Sequence, residues 1–283
     1  MHIGIIGLGL IGGSIALDLK EQLGVTVYGC DNNKKHANLA KELHLVDELL
    51  SESEIISQCQ VIICCIPVHY IIEKVEHLLN NISSDQIVID TGSTKKEICE
   101  ALRSHPNRNR FVAAHPLAGT EHSGPQAAIR GLFRGKKNII CDQDASDPEA
   151  VDTAKKVFRS LGMDTFILES NEHDRHLAYV SHLSHVSSFM LGLTVLDLEK
   201  DQTQISNLAS TGFESTVRLA KSSPETWGAI FDKNSENVCE ALAHYIMHLN
   251  HFLEVLKNNN KKEAIALMQR ANNIKSVLEG IKT

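Results

Sequence analysis

The sequence predicts an α/β fold in which a doubly wound parallel sheet is followed by an all-helical domain. Short apolar runs alternate with helical stretches up to Glu169, and a glycine-rich turn follows the first of these runs. After Glu169 no convincing strand pattern is present. Strands and helices in alternation are typical of a parallel sheet covered on both faces. A chain of 283 residues is also too long for one small core. We therefore expect two domains, residues 1–170 and 171–283.

The first elements have the order of a dinucleotide-binding unit of the Rossmann type. A strand over residues 3–6 leads into Gly7-Leu8-Gly9-Leu10-Ile11-Gly12, which opens a helix over residues 12–23, and the next strand ends at Asp31. The acid lies about 24 residues after Gly7, near the spacing that this motif requires. The loop suits a tight turn, close approach of a pyrophosphate and helix–strand packing, while Asp31 suits the ribose hydroxyls. The predicted cofactor-binding residues are Gly7, Gly9, Leu10, Ile11, Gly12 and Asp31.

The alternation continues to the end of the first domain. Further strands are predicted over residues 25–29, 61–66, 86–90, 111–114, 138–141 and 165–168, and helices over 34–43, 69–79 and 148–161. Thr94 and Glu97 have the spacing of a capping box for one more helix. Asp147 before Pro148 is typical of an N-cap followed by proline at the first helical position.

The second half has only helical patterns. Asn171 can cap a helix, and residues 174–200 are apolar on several sides, which is typical of a buried helix or one in a subunit interface. Ser223 with Pro224 predicts the start of another helix. Residues 238–256 carry an apolar stripe at steps of three and four, and residues 261–282 predict a final polar helix.

His115 stands at the predicted carboxyl end of the strand over residues 111–114, where Pro116 should stop the strand. In an open parallel sheet ligands bind at that edge. Histidine also has the side-chain pKa that suits proton transfer near neutrality. The alternative is a core histidine that bonds only to the backbone.

Four other places can carry chemistry, and each has a simpler explanation. Ser93 follows the strand that ends at Asp90, although serine is also common in turns. His182 and His185 lie three residues apart on one predicted helix, with Ser181 beside them. Arg218 has apolar neighbours, where an unpaired charge would be costly. Trp227 is the single tryptophan, which could simply pack in a core.

Composition excludes several classes of protein. The net charge of −7 and the lack of a Lys/Arg block argue against a nucleic-acid partner. The seven cysteines have no paired C-x-x-C spacing, and no apolar run is long enough to span a bilayer, so we expect a cytoplasmic protein with no membrane partner. Several histidines have metal-binding spacing, among them His173 with His176, but no acid or cysteine completes a zinc set, so no metal is expected.

Taken together, the motifs resemble the prephenate/arogenate dehydrogenase family of tyrosine biosynthesis over nearly the whole chain. They are Gly7 to Gly12, Asp90-Thr-Gly-Ser93, His115-Pro-Leu-Ala-Gly-Thr-Glu121, Ser181-His182-Leu-Ser-His185 and Gly212-Phe-Glu-Ser-Thr-Val-Arg218. The resemblance implies a homodimer formed through the helical domain, with the active site between the domains. Two departures are Ser184, where proline is usual, and the lack of an aspartate three residues before Arg218.

The resemblance also implies a role for each matched residue. His115 would take the proton of the substrate's ring hydroxyl, with Ser93 supporting it. Arg218 would bind a substrate carboxylate, and His185 would be a second substrate-binding histidine. The remaining predicted substrate-binding residues are Ser181, His182, Glu121 and Trp227.

The implied reaction is the NAD-dependent oxidative decarboxylation of prephenate, a small dicarboxylate, to 4-hydroxyphenylpyruvate. NAD is preferred to NADP because Asp31 would repel a 2′-phosphate, although Lys34 and Lys35 are near. Prephenate is preferred to arogenate because His185 suits a keto oxygen, with Glu214 as the main reservation. A β-hydroxyacid-type dehydrogenase is less favoured, since no lysine precedes Lys200 on the first interdomain helix. A non-catalytic NAD-sensing module is the remaining alternative.

Overall fold

The computed structural model describes residues 1–198 and 202–279. Its first part is a sheet with helices on both faces. The strands are β1 (His2–Ile6), β2 (Thr26–Cys30), β3 (Glu48–Leu49), β4 (Val61–Cys64), β5 (Ile87–Asp90), β6 (Phe111–Pro116), β7 (Lys137–Cys141) and β8 (Asp164–Leu168). The helices are α1 (Leu10–Leu23), α2 (Lys34–Glu42), α3 (Glu52–Gln58), α4 (Val68–Asn81), α5 (Lys96–Ala101) and α6 (Pro148–Ser160). The short elements β3 and α3 were not predicted from the sequence.

The strands form one sheet in the order β3-β2-β1-β4-β5-β6-β7-β8. All neighbours run parallel except β6 and β7, so the prediction of a parallel sheet holds for most of it but not for this pair. The first strands are added to one side of β1, and the strands from β4 to β8 are added to its other side. The crevice outside the carboxyl ends of β1 and β4 is where dinucleotides bind in such sheets.

Apolar side chains on both faces of the sheet hold its helices in place. β4 and β5 are buried along their whole length, as expected of central strands in a doubly covered sheet. One core cluster packs α1 and α6 against one face, and a second packs α4 against the other. The strand ends are therefore held rigidly at one edge of the sheet.

The second part of the chain is helical in every described segment. It contains α7 (Ser170–Leu177), α8 (Leu183–Leu198), α9 (Gln202–Leu208), α10 (Thr211–Val217), α11 (Pro224–Lys233), α12 (Ser235–Lys257), α13 (Lys261–Ala271) and α14 (Ile274–Glu279). Among the described residues, no helix combines the length and apolarity needed to cross a membrane.

Several helix boundaries differ from those predicted. α7 and α8 are joined by a π-helical turn, Ala178–His182, where one continuous helix was expected. The predicted ends at Lys200 and Lys282 lie outside the described residues, and the final helix is divided at residues 272–273. The Ser223 cap is confirmed, because its side chain accepts from Thr226 N.

Two predicted caps are wrong because distant carboxylates replace them. Lys95, not Thr94, precedes α5, and Asp174 of α7 accepts from the backbone N–H groups of Lys95 and Lys96 at 2.8 and 2.9 Å. α7 begins at Ser170, not after Asn171, and its first residue is bonded by Asp142. A helix start needs acceptors for its free N–H groups, but they need not come from nearby sequence. Asp147 precedes Pro148 as predicted, yet its carboxylate bonds Asn109 and Arg110.

Candidate active site

His115 lies inside β6, which continues through Pro116 instead of stopping before it. Beyond Ala113, β6 pairs only with β7, since its pairing with β5 ends there. The Ala114 N–H points to the β5 side, where it bonds Asp90. Backbone nitrogens two residues apart lie on the same side of a strand, so the nitrogen of Pro116 is also on the β5 side, beyond the end of β5. Because no β5 carbonyl lies opposite it, the missing N–H of proline costs no hydrogen bond in the sheet. His115 is thereby fixed at the edge where β5 ends.

A buried ion pair organises the loop after β5. Asp90 and Lys95 are paired and fully buried, and Asp90 also accepts from the backbone of Gly92 and Ala114 at 2.9 and 3.1 Å. Ser93 lies between them in the chain, half-buried. Its hydroxyl makes no hydrogen bond to any other residue within 1–198 and 202–279, so it is free to contact a ligand.

His115 contacts His173 and, through it, Asp174, an arrangement that was not predicted from the sequence. His115 Nδ1 lies 2.8 Å from His173 Nε2, and His173 Nδ1 lies 2.7 Å from Asp174 Oδ1. All three side chains are buried. The sequence singled out His173 only for its spacing to His176. The adjacent pair His173-Asp174 was the one available signal.

The helical half contributes a cluster of aromatic rings. His185 stacks on Trp227 with 3.4 Å between ring centroids, and His182 meets the edge of the same indole at 5.9 Å. His182 is buried, and its Nδ1 lies 3.1 Å from Asn234 Nδ2. His185 donates from Nδ1 to the carbonyl of Ser181 at 3.1 Å. Nε2 of His185 therefore remains as the acceptor that can meet a ligand.

Arg218 and Glu121 connect the two halves of the chain across the cleft. Arg218 NH1 lies 3.3 Å from Glu121 Oε2, and the arginine side chain is 51% exposed. The prediction of a charge in an apolar setting is therefore wrong, because the arginine lies in a short 3-10 turn at the surface. Glu214 does not pair with Arg218 but lies 3.8 Å from Lys221.

Burial lowers the pKa of the three histidines. The pKa of His115 is well below its usual value, first because of burial and then because an imidazolium there would be repelled by His173 when that ring is protonated, by Lys95 and by His182 when that ring is protonated. Burial lowers the pKa of His182 to about 4, and it also lowers that of His185, with a smaller contribution from Arg218. The three rings are therefore neutral at neutral pH and can accept protons.

The glycine loop fits a dinucleotide. Gly7 has φ +92°, and a Cβ on Gly12 would lie 1.9 Å from the Gly7 carbonyl, so both positions exclude side chains. A Cβ on Gly9 would meet nothing within 4 Å, which leaves that side of the loop open. Gly9 precedes α1 without a capping side chain, so the first N–H groups of the helix remain available to phosphates. Leu10 and Ile11 form the first turn of that helix.

Asp31 follows β2 at the same edge of the sheet. Its carboxylate accepts from the backbone of Leu8 at 2.9 Å and of Asn33 at 2.8 Å. These two bonds use one lone pair on each oxygen and leave acceptor capacity for ribose hydroxyls.

Among the described residues no group of three His, Cys, Asp or Glu side chains is arranged to hold a metal ion.

Three features lie at one edge of the sheet: the change of strand order between β1 and β4, the glycine loop with its terminal acid, and a buried histidine. Together they define a dinucleotide-dependent oxidoreductase with a helical second domain. Models of the prephenate dehydrogenase nucleotide-binding domain and of the prephenate dehydrogenase dimerization domain match residues 15–166 and 169–270. The chain belongs to the prephenate dehydrogenase family.

Individual relatives agree with this assignment. Cyclohexadienyl dehydrogenase of Zymomonas mobilis is 30% identical over 251 residues, covering 88% of this chain and 86% of the relative. Prephenate dehydrogenase of A. aeolicus, solved with hydroxyphenyl propionate and NAD+, has a TM-score of 0.89 at 28% identity and 98% coverage of both chains. Synechocystis arogenate dehydrogenase has a TM-score of 0.80 at 29% identity, covering 98% of this chain and 100% of that one.

Proposed function

We propose that this protein is an NAD-dependent prephenate dehydrogenase that converts prephenate to 4-hydroxyphenylpyruvate in tyrosine biosynthesis. The observation that carries the proposal is the buried His115, whose Nε2 makes no hydrogen bond to any other described residue and which lies at the edge of the sheet that also holds the glycine loop. That edge combines a proton acceptor with a dinucleotide site. The family membership and the NAD-bound A. aeolicus relative support the same reaction.

When bound, NAD supplies a two-electron acceptor for the hydrogen that leaves the ring carbon, while the substrate loses carbon dioxide and becomes aromatic. The residues that would hold it are the glycine loop, the first turn of α1 and Asp31. His115 takes the proton of the ring hydroxyl, and Ser93 supports that hydroxyl from the neighbouring loop. General base catalysis of this kind contributes roughly 10²- to 10⁴-fold.

Arg218 is the proposed partner of a substrate carboxylate. It already pairs with Glu121, and an exposed pair of this kind contributes about 0–1 kcal/mol, so exchanging Glu121 for a substrate carboxylate costs little. Glu121 and Trp227 then shape the mouth of the pocket, with Ser181, His182 and His185 along its wall.

We also propose the division into residues 1–170 and 171–283, a homodimer formed through the helical part, and a cytoplasmic location, which the seven free cysteines support.

Arogenate is the second candidate substrate, and the likeness to Synechocystis arogenate dehydrogenase favours considering it. The two substrates differ in a side chain that carries a keto group in prephenate and an ammonium group in arogenate. His185 suits the keto group, and Glu214, the acid that could have paired with an amine, lies against Lys221 instead. We therefore place prephenate first.

Paired kcat/KM values for prephenate and arogenate with NAD test this choice, measured through the absorbance of reduced nicotinamide. We expect the wild type to favour prephenate and His185→Val to lose most of that preference. Equal or higher efficiency with arogenate would overturn the substrate assignment. Turnover of neither substrate would overturn the proposed function.

A further inference from the structure

A line of buried polar side chains begins at Nδ1 of His115. His115 Nδ1, His173 and Asp174 follow one another at 2.8 and 2.7 Å, and the first two residues are 58 positions apart in the chain. His173 is fully buried and Asp174 is 1% exposed. Neither residue can touch a substrate from that position, so any contribution to the reaction must pass through His115.

The direction of the hydrogen bonds along this line is determined by Asp174. Its Oδ1 accepts from the backbone N–H of Lys95, and its Oδ2 accepts from that of Lys96. Both oxygens of Asp174 therefore already act as acceptors. A neutral His173 then donates from Nδ1 to Asp174, which leaves its Nε2 as an acceptor. His115 must donate from Nδ1 to that acceptor, so its lone pair lies on Nε2.

We propose that His173 and Asp174 are positioning residues that hold His115 in the tautomer with a free Nε2 and stabilise the imidazolium formed when it takes the substrate's proton. The proton leaves the ring hydroxyl and binds to Nε2, while the bond from Nδ1 to His173 is kept. The proton returns to the same oxygen when loss of carbon dioxide makes the ring a phenol. This inference rests on the proposed function only for the identity of the proton donor. The tautomer itself is a property of the protein alone.

The charges around His115 explain why such support is needed. Burial disfavours the imidazolium, and Lys95 adds a nearby positive charge. Asp90 offers little compensation because it is paired with Lys95. His182, the other ring near His115, is neutral at neutral pH and bonded to Asn234. In the part of the chain that the structure describes, Asp174 has no lysine or arginine partner, and its carboxylate contacts His173, which in turn contacts His115.

The first test is made on the wild-type protein and needs no activity. Nitrogen-15 NMR of the histidine rings in the wild-type protein near neutral pH distinguishes the two neutral tautomers. Signals are assigned by comparison with His115→Asn. We expect His115 and His173 both to carry the proton on Nδ1. A proton on Nε2 of His115, or a charged His115 ring, would overturn the proposal.

The second test uses Asp174→Asn and His173→Gln, with Glu172→Gln and His176→Gln as controls. The controls are exposed acid and histidine positions on the same helix, α7. We expect kcat with prephenate to fall by roughly 10²-fold or more in the first pair, by analogy with the loss of an orienting aspartate in a catalytic triad. KM should change little, and both control variants should match the wild type.

The pH profile separates positioning from a general structural effect. Loss of the Asp174 charge removes support for the imidazolium, so the acid limb of kcat/KM should move to lower pH in Asp174→Asn. A lower kcat with an unmoved limb would overturn the role of Asp174. If the wild type does not oxidise prephenate, the proposed function fails, but the NMR result still decides the tautomer.

Discussion

At the scale of single residues, burial determines what His115 can do. A neutral imidazole is a base only if one nitrogen keeps its lone pair, and the contact with His173 leaves Nε2 in that state. Burial holds the pKa of His115 well below 6.5. The ring therefore stays an acceptor at pH values where an exposed histidine is already charged.

His115→Asn should lower kcat by roughly 10²- to 10⁴-fold, because asparagine has a similar size but cannot take a proton. In the wild type, kcat/KM should hold steady as pH falls through 6.5 and decline only at more acid pH, since the pKa of His115 is lowered. The variant's residual activity should lack that decline. His77→Asn is the control, because His77 is exposed and pairs with Glu52. A near-normal kcat for His115→Asn would rule out its role as base.

At the scale of elements, local sequence predicted where most strands and helices lie but not what ends them. Pro116 was expected to stop β6, yet the strand continues because its nitrogen lies past the end of β5. Thr94 was expected to cap α5, yet Asp174 does so from 79 residues away. The local sequence pattern reflects the propensity of residues to form a strand or a helix. These boundaries depend instead on residues that are distant in the chain and come together only in the folded protein.

The end of β2 provides a test of cofactor choice. Asp31→Asn removes the charge that repels a 2′-phosphate and weakens the bonds to ribose hydroxyls. Since a hydrogen bond to a charged group contributes about 1.5–3 kcal/mol, kcat/KM with NAD should fall about tenfold or more, and the ratio of NADP to NAD use should rise.

Asp47→Asn is the matched control for this prediction. Asp47 also accepts from a backbone N–H of β2, that of Val27 at 2.8 Å, but it lies away from the glycine loop. Both variants should lower the thermal unfolding midpoint, and only Asp31→Asn should change the cofactor ratio. An unchanged ratio in Asp31→Asn would show that this carboxylate does not select the cofactor.

At the scale of the whole molecule, the site exists only because the two halves of the chain meet. Glu121 reaches Arg218, Lys233 pairs with Glu97 at 2.8 Å, and Asp174 accepts from the backbone N–H of Lys95 at 2.8 Å. The motifs on each half could be recognised from sequence because the chemistry requires those residue types. The line from His115 to Asp174 could not, because its members are linked by tertiary packing and not by spacing.

The helical half also leaves a large apolar surface uncovered. Leu193, Leu196, Leu249, Leu253 and Leu256 of α8 and α12 are each 48–60% exposed. Exposed leucines on two helices that contact each other are typical of an interaction site, and the matching family model is that of a dimerization domain. Two copies that cover this surface would each bury several leucines, at about 1.5–3 kcal/mol per side chain.

Light scattering after size exclusion should therefore give a mass twice that of the 31.2 kDa chain. Leu249→Glu should shift this toward the single-chain mass, because a twofold interface would bury the new carboxylate in both copies. Leu43→Glu makes the same change at an exposed leucine (44%) on the nucleotide-binding half and should leave the mass unchanged. Circular dichroism should show both variants folded. A wild type that elutes at the single-chain mass, or a Leu249→Glu variant that remains dimeric, would place the interface elsewhere.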